Sequence, residues 1–160
     1  MEILEFAIQM EKDGQEFYHQ LAAKTSHPGI RGVLEKLAFE ELEHQHAIER
    51  IQKGSASITE SKVLDNAKNV FQQMKDFGEE IDLAGDEESL YHQAMNLEQR
   101  SISFYLDRSE QVDNPAQKEL FHTLAQEEKK HYHLMSNLVD FVASPKTWLE
   151  DARFSRLDEY

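Results

Sequence analysis

The sequence predicts an all-α protein: an antiparallel four-helix bundle of two αα-hairpins, joined by a long crossover that holds an extra helix and followed by a short C-terminal segment. Three observations carry this. Apolar residues recur at helical spacing along most of the 160-residue chain. The chain repeats itself at an offset of 87 residues: Ala7, Glu11, Phe17 and Tyr18 recur as Ala94, Glu98, Phe104 and Tyr105, and Leu37, Ala38, Glu41, His44 and His46 recur as Leu124, Ala125, Glu128, His131 and His133. Each copy also contains one proline-marked turn, at Pro28 or Pro115, and so folds as two helices.

The elements follow in order. The first helix is expected over residues 2–25, with Leu4, Ala7, Glu11, Gly14, Tyr18 and Leu21 on one face. Pro28 and Gly29 mark the turn, and Pro28 suits a first helical position. The second helix runs to Lys53 and stops at Gly54, where Gly54-Ser-Ala-Ser forms a hinge. Within residues 59–77, Val63, Ala67, Val70, Met74 and Phe77 define the crossover helix. Asp86 is the expected N-cap of the third bundle helix, which ends near Glu110. Asn114-Pro115 opens the fourth, which ends before Ser144-Pro145, and the tail docks through Trp148, Leu149 and Phe154. The bundle thus spans residues 1–143 (hairpins 1–53 and 87–143, crossover 54–86), with a tail at 144–160. A crossover of this length can carry the chain along a whole bundle, as in ferritin-like topologies.

Composition narrows the function. Acidic residues outnumber basic ones, 31 to 17, for a net charge of −14. Such a surface repels nucleic acid and anionic lipid, so neither is an expected partner. Cysteine is absent, which removes disulfides, thiolate metal sites and cysteine nucleophiles and fits a reducing compartment. The acidic N-terminus does not read as a signal peptide, and no run is long and apolar enough to span a bilayer, so a cytoplasmic location is expected.

The chemistry lies in polar residues that interrupt the core stripes. Seven residues are almost two helical turns, so i and i+7 share a face. Glu11 lies between Leu4 and Tyr18 at that spacing, Glu98 between Tyr91 and Tyr105, Glu41 between Leu34 and Ile48, and His44 between Leu37 and Ile51. Glu128 lies between Phe121 and Met135, and His131 between Leu124 and Leu138. Buried carboxylates cost several kcal/mol each unless paired, protonated or metal-bound. No matching set of inward Lys or Arg exists, whereas two divalent cations balance four carboxylates and neutral imidazoles complete the shell. Oxygen and nitrogen donors without thiolate suit iron or manganese, and zinc also binds them.

The register checks itself. Glu43 and His46 offer a second Glu-x-x-His, but its counterpart is Lys130 and His133, which cannot ligate alike. Glu40 and Glu127 rotate away from the ligand face and, with His46 and His133, read as surface groups or as groups behind the ligands. Tyr18 and Tyr105 each lie about 10 Å along the helix from the Glu on their own helix. They are expected to hydrogen-bond a ligand carboxylate, with a redox role as the alternative. His19, His27, His92 and His122 have no repeat partner and are expected at the surface.

With Glu-(x6)-Tyr on the first helix of each hairpin and Leu-Ala-x-Glu-Glu-x-x-His on the second, residues 1–143 resemble the rubrerythrin branch of the ferritin-like superfamily. This ligand pattern is also the general one for ferritin-like di-metal carboxylate proteins. The resemblance implies that Glu41 and Glu128 bridge two iron ions, with Glu11, Glu98, His44 and His131 terminal. It implies a di-iron oxidoreductase reacting with peroxide or dioxygen in oxidative-stress defence. Two departures stand out. The four-cysteine iron site of a rubredoxin domain has no counterpart here, so electrons are expected from a separate protein such as a rubredoxin. A further Glu, three residues after the third-helix ligand in rubrerythrins, is Ser101 here, with Gly14 as its repeat mate. Gly14 and Ser101 are expected to leave room beside the metals for a small oxidant, with close helix packing as the plain alternative.

Two other functions remain open at this stage: a ferroxidase or iron-storage protein, and a non-catalytic metal-stabilised bundle. A homodimer is expected, and the Gly-Ser hinge permits a domain-swapped one.

Overall fold

The computed structural model describes residues 3–51, 60–78 and 85–158. Among these, helices α1 (Ile3–Lys24), α2 (Pro28–Glu49), α3 (Val63–Phe77), α4 (Glu87–Gln111), α5 (Pro115–Ala143) and α6 (Pro145–Glu150) precede a 3₁₀ turn at Arg153–Arg156. α1 pairs with α2 and α4 with α5 as tight hairpins, and α1 meets α4 across the bundle. This is the all-helical, ferritin-like bundle that the periodicity predicts. No described helix is long and apolar enough to cross a membrane.

Local chemistry explains most of the helix ends. Pro28 starts α2, and the His27 imidazole caps it by accepting from Gly29 N (3.1 Å) and Ile30 N (3.3 Å). His27 is therefore a cap rather than a plain surface residue. Asn114 caps α5 by accepting from Gln117 N at 3.1 Å, with Pro115 at the first helical position. Gly78 closes α3 in the left-handed conformation (φ 61°), which glycine adopts without a Cβ penalty. Asp86 stands at the N-cap position of α4, but its side chain does not cap. It pairs instead with Lys24 Nζ at 3.0 Å, tying the start of α4 to the end of α1. The sequence places the end of the second helix at Lys53; helix α2 ends at Glu49, and Lys53 and the Gly54 hinge lie outside the described residues.

The crossover helix packs on α2, α5 and the tail. Val63, Ala67 and Met74 are buried as predicted, but Phe77 is 77% exposed at the last helical position. Phe71, on the same stripe, takes the central place. Its ring lies 4.5 Å from Trp148, 5.1 Å from Phe141 and 6.1 Å from Phe154 (centroid distances). Trp148, Leu149 and Phe154 are all buried, so the tail docks as expected.

Two apolar clusters result. The larger contains Tyr18, Leu37, Phe71, Tyr91 and Trp148; the smaller contains Ala7, Ile48, Tyr105, Phe121 and Leu124. The six interrupting polar residues belong to neither cluster. Tyr18 in one and Tyr105 in the other both reach into the polar group.

Candidate metal centre

All six residues are no more than 2% exposed: Glu11 on α1, Glu41 and His44 on α2, Glu98 on α4, and Glu128 and His131 on α5. They form two overlapping groups, Glu11–Glu41–His44–Glu128 and Glu41–Glu98–Glu128–His131, each with one donor atom per residue inside a 4.8 Å sphere of mutual distances. Glu41 and Glu128 belong to both groups, so the geometry has the form of two adjacent cation positions with two shared carboxylates.

The contacts cross between hairpins. His44 Nδ1 lies 2.8 Å from Glu128 Oε1, and His131 Nδ1 lies 2.7 Å from Glu41 Oε1. The two rings stack, with centroids 5.7 Å apart and planes 12° from parallel. Tyr18 donates to Glu98 Oε1 and Tyr105 to Glu11 Oε1, both at 2.6 Å. Each tyrosine thus holds the glutamate of the other hairpin, not the one on its own helix.

Among the described residues no lysine or arginine pairs with the six, so protons carry the balance. Burial, together with the charges of Glu11 and the other carboxylates, pushes Glu41 and Glu128 well above the usual carboxylate range. Burial opposes ionisation of Glu98 too, but the Glu128 and His131 side chains beside it hold it down to about 2. Glu11 is likewise lowered against its burial by Glu41 and His44. Burial disfavours charge on the imidazoles, yet the adjacent carboxylates outweigh it, raising His44 and lifting His131 to about 10. Burial and the charges of their glutamate partners push the Tyr18 and Tyr105 hydroxyls upward, which keeps both as donors. The directions thus split the group: burial and like charge oppose ionisation of Glu41 and Glu128, while Glu11 and Glu98 favour it.

The donor set fits a pair of divalent cations. Glu11 Oε2, Glu98 Oε2 and Glu128 Oε2 are buried with no hydrogen-bond partner, an arrangement that costs free energy unless something else satisfies them. Four carboxylates and two neutral imidazoles sum to a charge that two divalent ions cancel. Oxygen and nitrogen donors of this kind suit iron or manganese, and zinc also binds them.

One sequence expectation changes here, and one pair of alternatives is decided. Gly14 does not leave open room: a Cβ on it would sit 2.9 Å from Glu41 Oε2 and 3.3 Å from Glu41 Cγ. The missing side chain is the space the Glu41 carboxyl occupies, so Gly14→Leu would displace a shared carboxylate rather than block an oxidant alone. Ser101 is buried, and no carboxylate stands in its place. Of the two readings of Glu40 and Glu127, at the surface or behind the ligands, the surface one falls away, since each is 5% exposed. Glu40 Oε1 lies 2.9 Å from His131 Nε2, on the far side of the ring from the cluster. The signal was present in the sequence, since Glu40 and Glu127 repeat at the same offset as the six. His46 is exposed, while His133 Nε2 meets the Leu157 carbonyl at 3.1 Å and helps hold the tail. His19, His92 and His122 are exposed as expected.

Comparison with known proteins agrees with this architecture. Residues 2–139 match the family model described as Rubrerythrin. A solved hypothetical protein from Pyrococcus furiosus superposes with a TM-score of 0.66 at 23% identity, over 89% of each chain. At that identity the likeness speaks for the fold. No match is found among curated proteins.

Proposed function

Because the chain belongs to the rubrerythrin family, we propose that it is a non-haem di-iron oxidoreductase that reacts with peroxide or dioxygen in oxidative-stress defence. Glu41 and Glu128, common to both donor groups, would be shared by the two ions; Glu11 and His44 would hold one, and Glu98 and His131 the other. The observation that carries this is the pair of overlapping donor groups sharing Glu41 and Glu128, with three carboxylate oxygens left unpartnered.

A bound iron pair supplies two electrons, which with two protons convert one hydrogen peroxide into two water molecules. The protein's own groups set the conditions. Tyr18 and Tyr105 fix the orientation of Glu98 and Glu11 through short hydrogen bonds to one oxygen each, leaving the other oxygen for a cation. The two apolar clusters flank the polar group and limit access of water to it. The imidazoles keep Nδ1 toward the cluster, the nitrogen that must lose its proton to ligate. Electrons come from a separate donor protein such as a rubredoxin, and the site of action is the cytoplasm.

Anaerobic loading of the apo-protein with Fe(II), then mixing with peroxide or dioxygen in parallel, tests this reading. Faster oxidation by peroxide at two irons per chain is the expected result. Preference for dioxygen with iron accumulating beyond two would point to ferroxidase or storage chemistry, and absence of saturable iron binding would leave a structural bundle.

A further inference from the structure

The repeat makes the six candidate ligands symmetric, but what stands behind them is not. Behind His131 is Glu40, with Oε1 2.9 Å from Nε2. The ring is therefore held at both nitrogens, by Glu40 outside and Glu41 inside. By the 87-residue offset the matching pair is Glu127 behind His44. Glu127 is equally buried, yet its oxygens are engaged elsewhere: Oε2 accepts from Ser61 N at 3.2 Å, and Oε1 accepts from Lys130 Nζ at 3.1 Å. Both diverting groups are breaks in the repeat. Lys130 corresponds to Glu43, and Ser61 belongs to the crossover. Among the described residues no hydrogen bond reaches His44 Nε2. His44 instead lines a cavity of about 410 Å³, together with Phe39, Glu40, Glu43, Ser61 and Glu127, whereas His131 does not line it.

Resting on the reading of the six residues as ligands, the geometry assigns Glu40 as a positioning residue for His131 and makes the two metal positions unequal. The Glu98–His131 position fills first and more tightly; the Glu11–His44 position fills second, on the side of the cavity. The physical reason is that a carboxylate on the outer N–H of a ligating imidazole fixes its tautomer and ring orientation and raises its basicity, an effect worth about 10–100-fold in metal affinity. His44 lacks that partner and must be ordered by the metal itself.

Zinc titration of apo-protein carrying ¹⁵N-labelled histidine reads this directly, without any turnover. At one equivalent of Zn(II) the His131 ring resonances shift while those of His44 stay; at two equivalents both have moved. In calorimetric titration Glu40→Ala weakens the first binding step by about 10–100-fold and leaves the second in place, so the steps merge. Glu40→Gln, which keeps a neutral acceptor, recovers part of the loss, and Glu127→Ala leaves the first step unchanged. His44 responding first, both rings responding together, or Glu40→Ala leaving the first step intact would each overturn the inequality while two-zinc binding preserved the ligand reading. Failure to bind two zinc ions at all would instead remove the ligand reading beneath it. The wild-type order of response stands even where a variant fails to fold.

Discussion

Gly14→Ala should make the apo-protein no less stable and the metal-bound protein weaker. Gly14 sits inside α1, where alanine is favoured over glycine by about 1 kcal/mol. Against that, the new Cβ would stand 2.9 Å from Glu41 Oε2 and 3.2 Å from Cδ. The carboxyl must give way, and its other oxygen is already engaged at 2.7 Å with His131 Nδ1. In the apo-protein that shift offsets some or all of the helical gain, leaving a change between zero and about +1 kcal/mol. With metal the outcome differs, because Glu41 is common to both cation positions. A tenfold loss of affinity is about 1.4 kcal/mol, so a tenfold loss at each position removes about 2.8 kcal/mol of metal-linked stability. The net result is a zinc-saturated protein about 2 kcal/mol less stable than wild type, beside an apo-protein at least as stable. Urea unfolding with chelator and with excess zinc measures the two numbers, and calorimetry measures the affinities. If Gly14→Ala stabilises the apo-protein and leaves both affinities unchanged, the bare face of Gly14 has no part in placing Glu41.

Glu41→Ala or Glu128→Ala should abolish two-metal binding, since each removes a donor from both positions; two ions still bound per chain by elemental analysis would refute the shared-carboxylate assignment. Metal binding should release protons from the raised carboxyls Glu41 and Glu128 and the raised imidazoles His44 and His131, so affinity rises with pH; an indicator-dye titration reads the protons, and none released would sink the picture. The signs for the apo-protein follow from the same directions: the stability His131 contributes is complete below its unfolded value and fades as pH rises through about 10, and that of Glu98 is complete above its unfolded value and fades as pH falls through about 2. Tyr105→Phe strands Glu11 Oε1 and should cost about 1–3 kcal/mol in the apo-protein, seen as a lower urea midpoint; a neutral result would mean Glu11 finds another donor.

The repeat and the heptad spacing made the bundle and the six inward polar residues legible, because both are properties of single helices. What the sequence left open depends on how the hairpins dock. The crossed tyrosine bonds are one case. Tyr18 and Glu11 share a face but lie about 10 Å apart along the axis, too far for a hydrogen bond, so the only glutamates in reach belonged to other helices. Choosing Glu98 needed the α1–α4 contact. Gly14 is another case: glycine in a helix reads either as open space or as close packing, and only the position of Glu41 on α2 decides. Asp86 has the right residue type for an N-cap but found a stronger partner in Lys24, a charge supplied by the other hairpin.

The same distinction explains why the centre is symmetric inside and uneven outside. The inward residues must satisfy one another across a pseudo-two-fold arrangement, so a change in one copy demands a matching change in the other. Residues behind them answer to local neighbours. On one side α3 and the stretch before it bring Ser61 against Glu127, and Lys130 completes its capture. On the other side Glu43 stands where Lys130 does, and Glu40 keeps Oε1 on His131 Nε2 while Lys36 approaches its Oε2 at 3.9 Å. A bundle built from a duplicated hairpin needs a crossover to join its halves, and here α3 packs on both α2 and α5 without itself being repeated. The proposed inequality between the two cation positions would then come from this unrepeated connection, even where every candidate ligand is repeated.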